Sequence, residues 1–184
     1  MSFRSIEPSE IPALHPVAHV RDGWANFAGT TGIAPWSSFD PVDYPYVLPW
    51  VMLLRQEDPA DPERLRYVIC GDGCRKTFGM SYQGKLFGED LPGSVVAQRR
   101  AEFQKIRNGH GPLYSRTPLP IANREFIDIY RGVFGFSSDD ASGAAAVDRY
   151  LVVVAPLNVQ VPARQPAGRG IPQPLPTAVR SRVS

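Results

Sequence analysis

Several things are scarce in this 184-residue chain. It has two cysteines, Cys70 and Cys74, and three histidines, His15, His19 and His110. Both thiols lie in one short segment, which argues against a disulfide, and a zinc site wants a second pair or histidines at suitable spacing. The bland reading of Cys70-x3-Cys74 is therefore two small apolar side chains at a strand end and a helix start. No apolar run approaches the roughly 20 residues of a membrane helix. The N-terminal MSFRSIEPSEIPALHP lacks the apolar stretch of a signal peptide. Cytoplasmic residence is the expectation. Acidic residues are missing from 158–184, which carry Arg164, Arg169, Arg180 and Arg182; against a net charge of +2, residues 1–157 then hold −2. That balance argues against a basic nucleic-acid binder. No P-loop, dinucleotide fingerprint or nucleophile elbow is present. With no acid–base pair to name, an enzyme is the least supported class and no catalytic or metal-ligating residue is assigned.

What is present reads as one α+β domain. Residues 1–14 read as a flexible lead, 15–157 as the domain and 158–184 as a Pro/Arg-rich disordered tail. Over His15–Gly29, Val17, Val20, Trp24 and Phe27 recur at three- and four-residue steps, predicting an amphipathic helix capped by Gly29. Its stripe either packs on its own domain or forms a dimer helix. Asp40-Pro41 predicts a short helix near 41–47. Leu48–Leu54 and Arg64–Cys70 predict strands joined by the acidic turn Glu57–Glu63. In the second strand Leu65, Tyr67 and Ile69 alternate with Arg66, Val68 and Cys70. The glycines at 73, 79, 84 and 88 allow only short helical turns.

A longer helix fits Gly93–Asn108, with Val96, Phe103 and Ile106 on one face and Arg99, Glu102 and Lys105 spaced for surface ion pairs. Strands follow at Pro112–Thr117, Arg124–Phe136 and Asp148–Ala155, the last two joined by a flexible loop over Ser137–Ala146. Leu151 to Val154 are apolar in succession, so that strand must be central and covered on both faces. The His15–Gly29 helix, from this chain or a partner, is the expected cover. Phe126, Tyr130, Phe134 and Phe136 share a face by period two, and Asp128, Tyr130 and Arg131 could turn polar atoms toward a cavity.

These residues together resemble a bacterial, chiefly alphaproteobacterial, family of PAS domains. The marks are Pro35 and Asp40-Pro41, then Leu48-Pro49, Leu65-Arg66-Tyr67 leading to Gly71, and Phe78-Gly79 followed by Gly84; Pro118 and Pro156-Leu157 are weaker echoes. Val68 departs from the pattern, which has an arginine there. The resemblance implies a five-stranded antiparallel sheet with helices on one face and an N-terminal helix outside the core. It also implies a stand-alone sensory or regulatory protein that binds a small molecule or a partner and signals by protein–protein contact, as a homodimer. An adaptor module with no ligand is the alternative. The candidate pocket comprises Cys74, Phe78, Phe103, Ile106, Tyr130 and Phe134. The resemblance leaves the ligand unnamed. Flavin is disfavoured because the Asn-Cys-Arg motif is absent, and haem because His110 lies beyond the long helix.

Overall fold

The computed structural model describes residues 3–28, 33–138 and 146–163. It is α+β, with a mostly antiparallel sheet between two helical layers. Among the described residues seven strands form the sheet: β1 (Arg4–Ser5), β2 (Ala34–Pro35), β3 (Val51–Asp58), β4 (Asp61–Cys70), β5 (Leu113–Pro118), β6 (Asp128–Ser137) and β7 (Val147–Pro156). The order is β1-β5-β6-β7-β3-β4, with β2 parallel to the end of β6. The expected five strands are therefore β3 to β7, ordered second-first-fifth-fourth-third, and two short strands extend them. β7 is central, paired with β6 and β3 along its length.

Helix α1 (Pro16–Ala28) covers one face of the sheet; α2 (Asp72–Phe78) and α3 (Gly93–Arg107) cover the other. The expectation that the N-terminal helix lies outside the core is corrected here. Val17, Val20 and Trp24 are buried in one apolar cluster with Phe134, Phe136, Leu151 and Val153, and Phe27 packs against it. The stripe offered as a dimer helix thus lies against the chain's own sheet. Covering it in this way stabilises the fold by about 1.5–3 kcal/mol for each large side chain.

Two glycines on opposite faces of β6 make room for the two helical layers. A Cβ on Gly132 would meet Val17 Cγ1 at 2.7 Å, and one on Gly135 would collide with Ile106 of α3.

Local chemistry moves several boundaries. Leu48–Trp50 is a 3-10 turn, because Pro49 cannot donate to a ladder, so β3 starts at Val51. The expected helix near 41–47 is a single 3-10 turn, Pro41–Asp43, whose first amide (Val42 N–H) donates to the Asp40 side chain at 2.9 Å. The acidic segment is mostly strand; only Pro59 and Ala60 turn. Alternation in β4 fails at Val68. Leu53 pairs with Ile69 but Leu54 with Tyr67, so Val68 is an extra residue. The bulge flips the phase: Ile69 is 46% exposed, and Cys70 joins Leu65 and Tyr67 in the core.

The N-terminal lead is also more than a loose segment. β1 pairs with β5, the Ile6 amide donates to the Tyr114 carbonyl at 3.1 Å, and Ile6 and Ile11 are buried. Beyond residue 157, Val161 is buried and its amide donates to the Leu14 carbonyl at 2.9 Å. The Gly29 cap, most of the Ser137–Ala146 loop and the remaining tail lie outside the described residues.

Candidate functional site

Between the sheet and α3 lies a cavity of about 50 Å³. Its floor is the α3 face of the sheet: Met52 and Leu54 of β3, Tyr67 of β4, Ile129 and Arg131 of β6, and Val152 and Val154 of β7. Period two puts these side chains on one face, which is apolar apart from Tyr67 and Arg131. Arg99 and Phe103 of α3 form the roof, Phe78 at the end of α2 closes one end, and Tyr82, Phe87 and Leu91 line the side.

That side wall is a strap over residues 79–92, hydrogen-bonded along the outer edge of β4. Tyr67 N–H donates to Lys85 O at 3.0 Å, and Phe87 N–H to Leu65 O at 2.8 Å. Gly79 at the end of α2 takes φ 79°, a left-handed cap that an L side chain rarely adopts. The nearby α2 carbonyls of Lys76 and Thr77 accept from the Arg124 guanidinium at 2.9 and 2.7 Å. Aromatic rings then interlock around the cavity. Phe78 meets Tyr82 edge-on at 5.5 Å, and Phe87 meets Phe103 at 5.2 Å.

The wall toward α3 and β6 is charged. Glu102 Oε2 accepts from Arg99 Nη1 at 3.1 Å and from Arg131 Nη1 at 2.7 Å. Side-chain exposures are 7% for each arginine and 11% for Glu102. The expected surface pairing of Arg99 with Glu102 is thus corrected: the pair is buried, because β6 brings a second arginine under it. Lys105 remains exposed. Burial pushes the Glu102 carboxyl up, but Arg131 and Arg99 outweigh it and hold the group ionised, below its ordinary value. Burial, aided by Arg131, pushes Arg99 down to about 10. On its other side the Arg99 guanidinium lies over the Phe3 ring, 5.2 Å from the centroid.

Two polar groups complete the lining. The Tyr82 hydroxyl is buried with no hydrogen-bond partner among the described residues, and burial pushes its pKa up to about 12. Burial likewise raises that of Tyr67. Both phenols are neutral near pH 7 and can donate.

The six expected pocket residues divide three ways. Phe78 and Phe103 line the cavity. Cys74 and Ile106 belong to the same apolar cluster but not to the lining. Tyr130 and Phe134 are corrected to the opposite face, where Tyr130 meets His15 and Phe134 meets Trp24. Phe126 precedes β6 and is 82% exposed. Of the three polar residues considered on that run, Arg131 reaches the cavity while Asp128 pairs with Arg116 at 2.9 Å. The residues that sequence reasoning missed are Tyr82 and the joining of Arg99 to Arg131 through Glu102.

Elsewhere, His15 is buried at the start of α1. Its Nδ1 accepts from Val17 N–H at 3.3 Å, so Nε2 carries the proton toward the Pro156 carbonyl at 3.2 Å. Burial holds its pKa down at about 4. Cys70 and Cys74 are free and buried, and burial raises the Cys74 thiol far above its ordinary range. Among the described residues no cluster of three metal-ligating side chains occurs, and no helix is long and apolar enough to cross a membrane. No protein-family model matches this chain, and no curated protein matches it.

Proposed function

We propose that this chain is a sensory or regulatory domain of PAS type, with its ligand site in the cavity between the sheet and α3. The observation that carries the reading is a buried ion cluster set in the wall of an otherwise apolar cavity. Apolar walls with a few convergent polar groups are the usual make-up of a small-molecule site. The second-first-fifth-fourth-third order of the long strands, with α2, the strap and α3 inserted between the second and third, supports the PAS reading. Ligand occupancy would press on the strap and α3, and the signal would pass to a partner, or a second copy of the chain, by surface contact.

Cytoplasmic action and homodimerisation belong to the same proposal. Native mass spectrometry of protein purified from its own host tests it. The expected result is a dimer with a small molecule bound at one per chain; bare monomers throughout would contradict it.

A second reading, an adaptor whose core is filled by its own side chains, is favoured by one observation. The cavity's 50 Å³ is well below the roughly 300 Å³ at which drug-sized ligand pockets begin. The ligand of the first reading must therefore be very small, or the strap must yield.

A further inference from the structure

The ion cluster does not balance. Two arginines share one oxygen of one carboxylate, so the cluster carries one positive charge in excess. Guanidinium does not give up its proton in proteins, and an unpaired buried charge is costly. Among the described residues Glu102 is the only carboxylate within ion-pair distance of either arginine. Each guanidinium has five N–H donors and makes one hydrogen bond to Glu102, which leaves donors on both. A second, independent feature points the same way: the hydroxyl of Tyr82, a residue lining the same cavity, is buried and has no hydrogen-bond partner among the described residues.

Size and polarity narrow what could supply the missing negative charge. A water needs about 10–15 Å³ of such space, so 50 Å³ admits about three to five non-hydrogen atoms. Met52, Leu54 and Val154 offer the rest of that space only apolar contact. An inorganic anion hydrated on all sides would meet donors only at Arg99, Arg131 and Tyr82 and apolar side chains elsewhere.

Resting on the ligand-site reading above, we propose that the cavity binds a monocarboxylate of two or three carbons. Its carboxylate meets Arg99 and Arg131, the Tyr82 hydroxyl donates to it, and its alkyl end lies among Met52, Leu54 and Val154. Binding brings the cluster to neutrality.

The test uses the full chain, dialysed free of carboxylates, titrated with sodium acetate or propionate. Sodium chloride, sodium phosphate and propionamide serve as controls at matched ionic strength. Melting temperature and amide NMR shifts are the readouts. A saturable rise in melting temperature with propionate, with shifts at β6 and α3, is expected. Arg99→Met should weaken binding about tenfold or more, and Tyr82→Phe by about two- to tenfold. Should Arg99→Met fail to fold, Tyr82→Phe carries the test alone.

Propionate acting no differently from chloride, phosphate binding as well as propionate, or a folded Arg99→Met binding propionate like the wild type would each overturn the proposal. Propionamide binding as well as propionate would overturn it while leaving the cavity a ligand site. Silence from every compound would overturn it and leave the sensory reading to the mass-spectrometric test.

Discussion

Glu102→Gln is the substitution in which the buried cluster is most exposed to test. It keeps the shape of the side chain but removes the single negative charge shared by Arg99 and Arg131 at 3.1 and 2.7 Å. Two guanidiniums, each 7% exposed, would then face one another across a neutral amide. Stripping one partner from a buried ionic group costs about 3–5 kcal/mol. A domain's whole stability is about 5–15 kcal/mol, so the variant should be folded but weak. With a urea slope near 2 kcal/mol/M, the unfolding midpoint should fall by about 1.5–2.5 M. Arg99→Met is the contrasting variant. It removes the excess charge and leaves the 2.7 Å bond between Glu102 and Arg131, so it should be far less damaging than Glu102→Gln. Urea unfolding followed by circular dichroism measures both. If Glu102→Gln loses under about 1 kcal/mol, or Arg99→Met is the more damaging, the argument from unbalanced buried charge is wrong.

Three further outcomes follow from the same structure. His15 has a folded pKa of about 4 against about 6.5 unfolded, so the unfolded chain binds the extra proton. Its stabilisation is complete above pH 6.5 and lost as pH falls toward 4, by up to about 3 kcal/mol. Protonation would also remove the acceptor for Val17 N–H and set a positive charge at the start of α1. His15→Asn, which keeps a capping oxygen, should flatten the pH dependence of urea stability over that window; identical slopes would refute the assignment. Gly71→Ala would drive a Cβ into the backbone carbonyls of Leu48 and Pro49, which a side-chain shift cannot relieve, and should lower stability by about 2 kcal/mol or more, read as a fall in the urea midpoint. Cys74, fully buried with its thiol held protonated, should resist a thiol reagent until the protein unfolds, and rapid native labelling would contradict its place in the core.

The long elements were legible because their apolar patterns are strong. The unbroken run at Leu151 to Val154 announces a central strand, and β7 is central. The stripe of Val17, Val20 and Trp24 announces a helix with something to cover, and it covers the chain's own sheet. Details that depend on partners distant in sequence were not legible. Arg99 and Glu102 have the same three-residue spacing whether they face water or the core, and only Arg131, 29 residues beyond Glu102, decides it. Period two groups Tyr130 with Phe134 but cannot say which helix lies over them. The nearest signal was the pair Gly132 and Gly135, whose missing side chains mark where α1 and α3 approach β6. The Val68 bulge had no advance signal in the alternation it breaks, and so Ile69 and Cys70 exchanged faces.

The central claim is that the space between the sheet and α3 is a ligand site rather than an imperfectly filled core. A high-resolution crystal structure of the protein purified from its own host, without added carboxylates, tests it most directly. The account predicts density for a small molecule within hydrogen-bond reach of Arg99 or Arg131 and of the Tyr82 hydroxyl. A cavity closed by its own side chains, with no density between those groups, would contradict it.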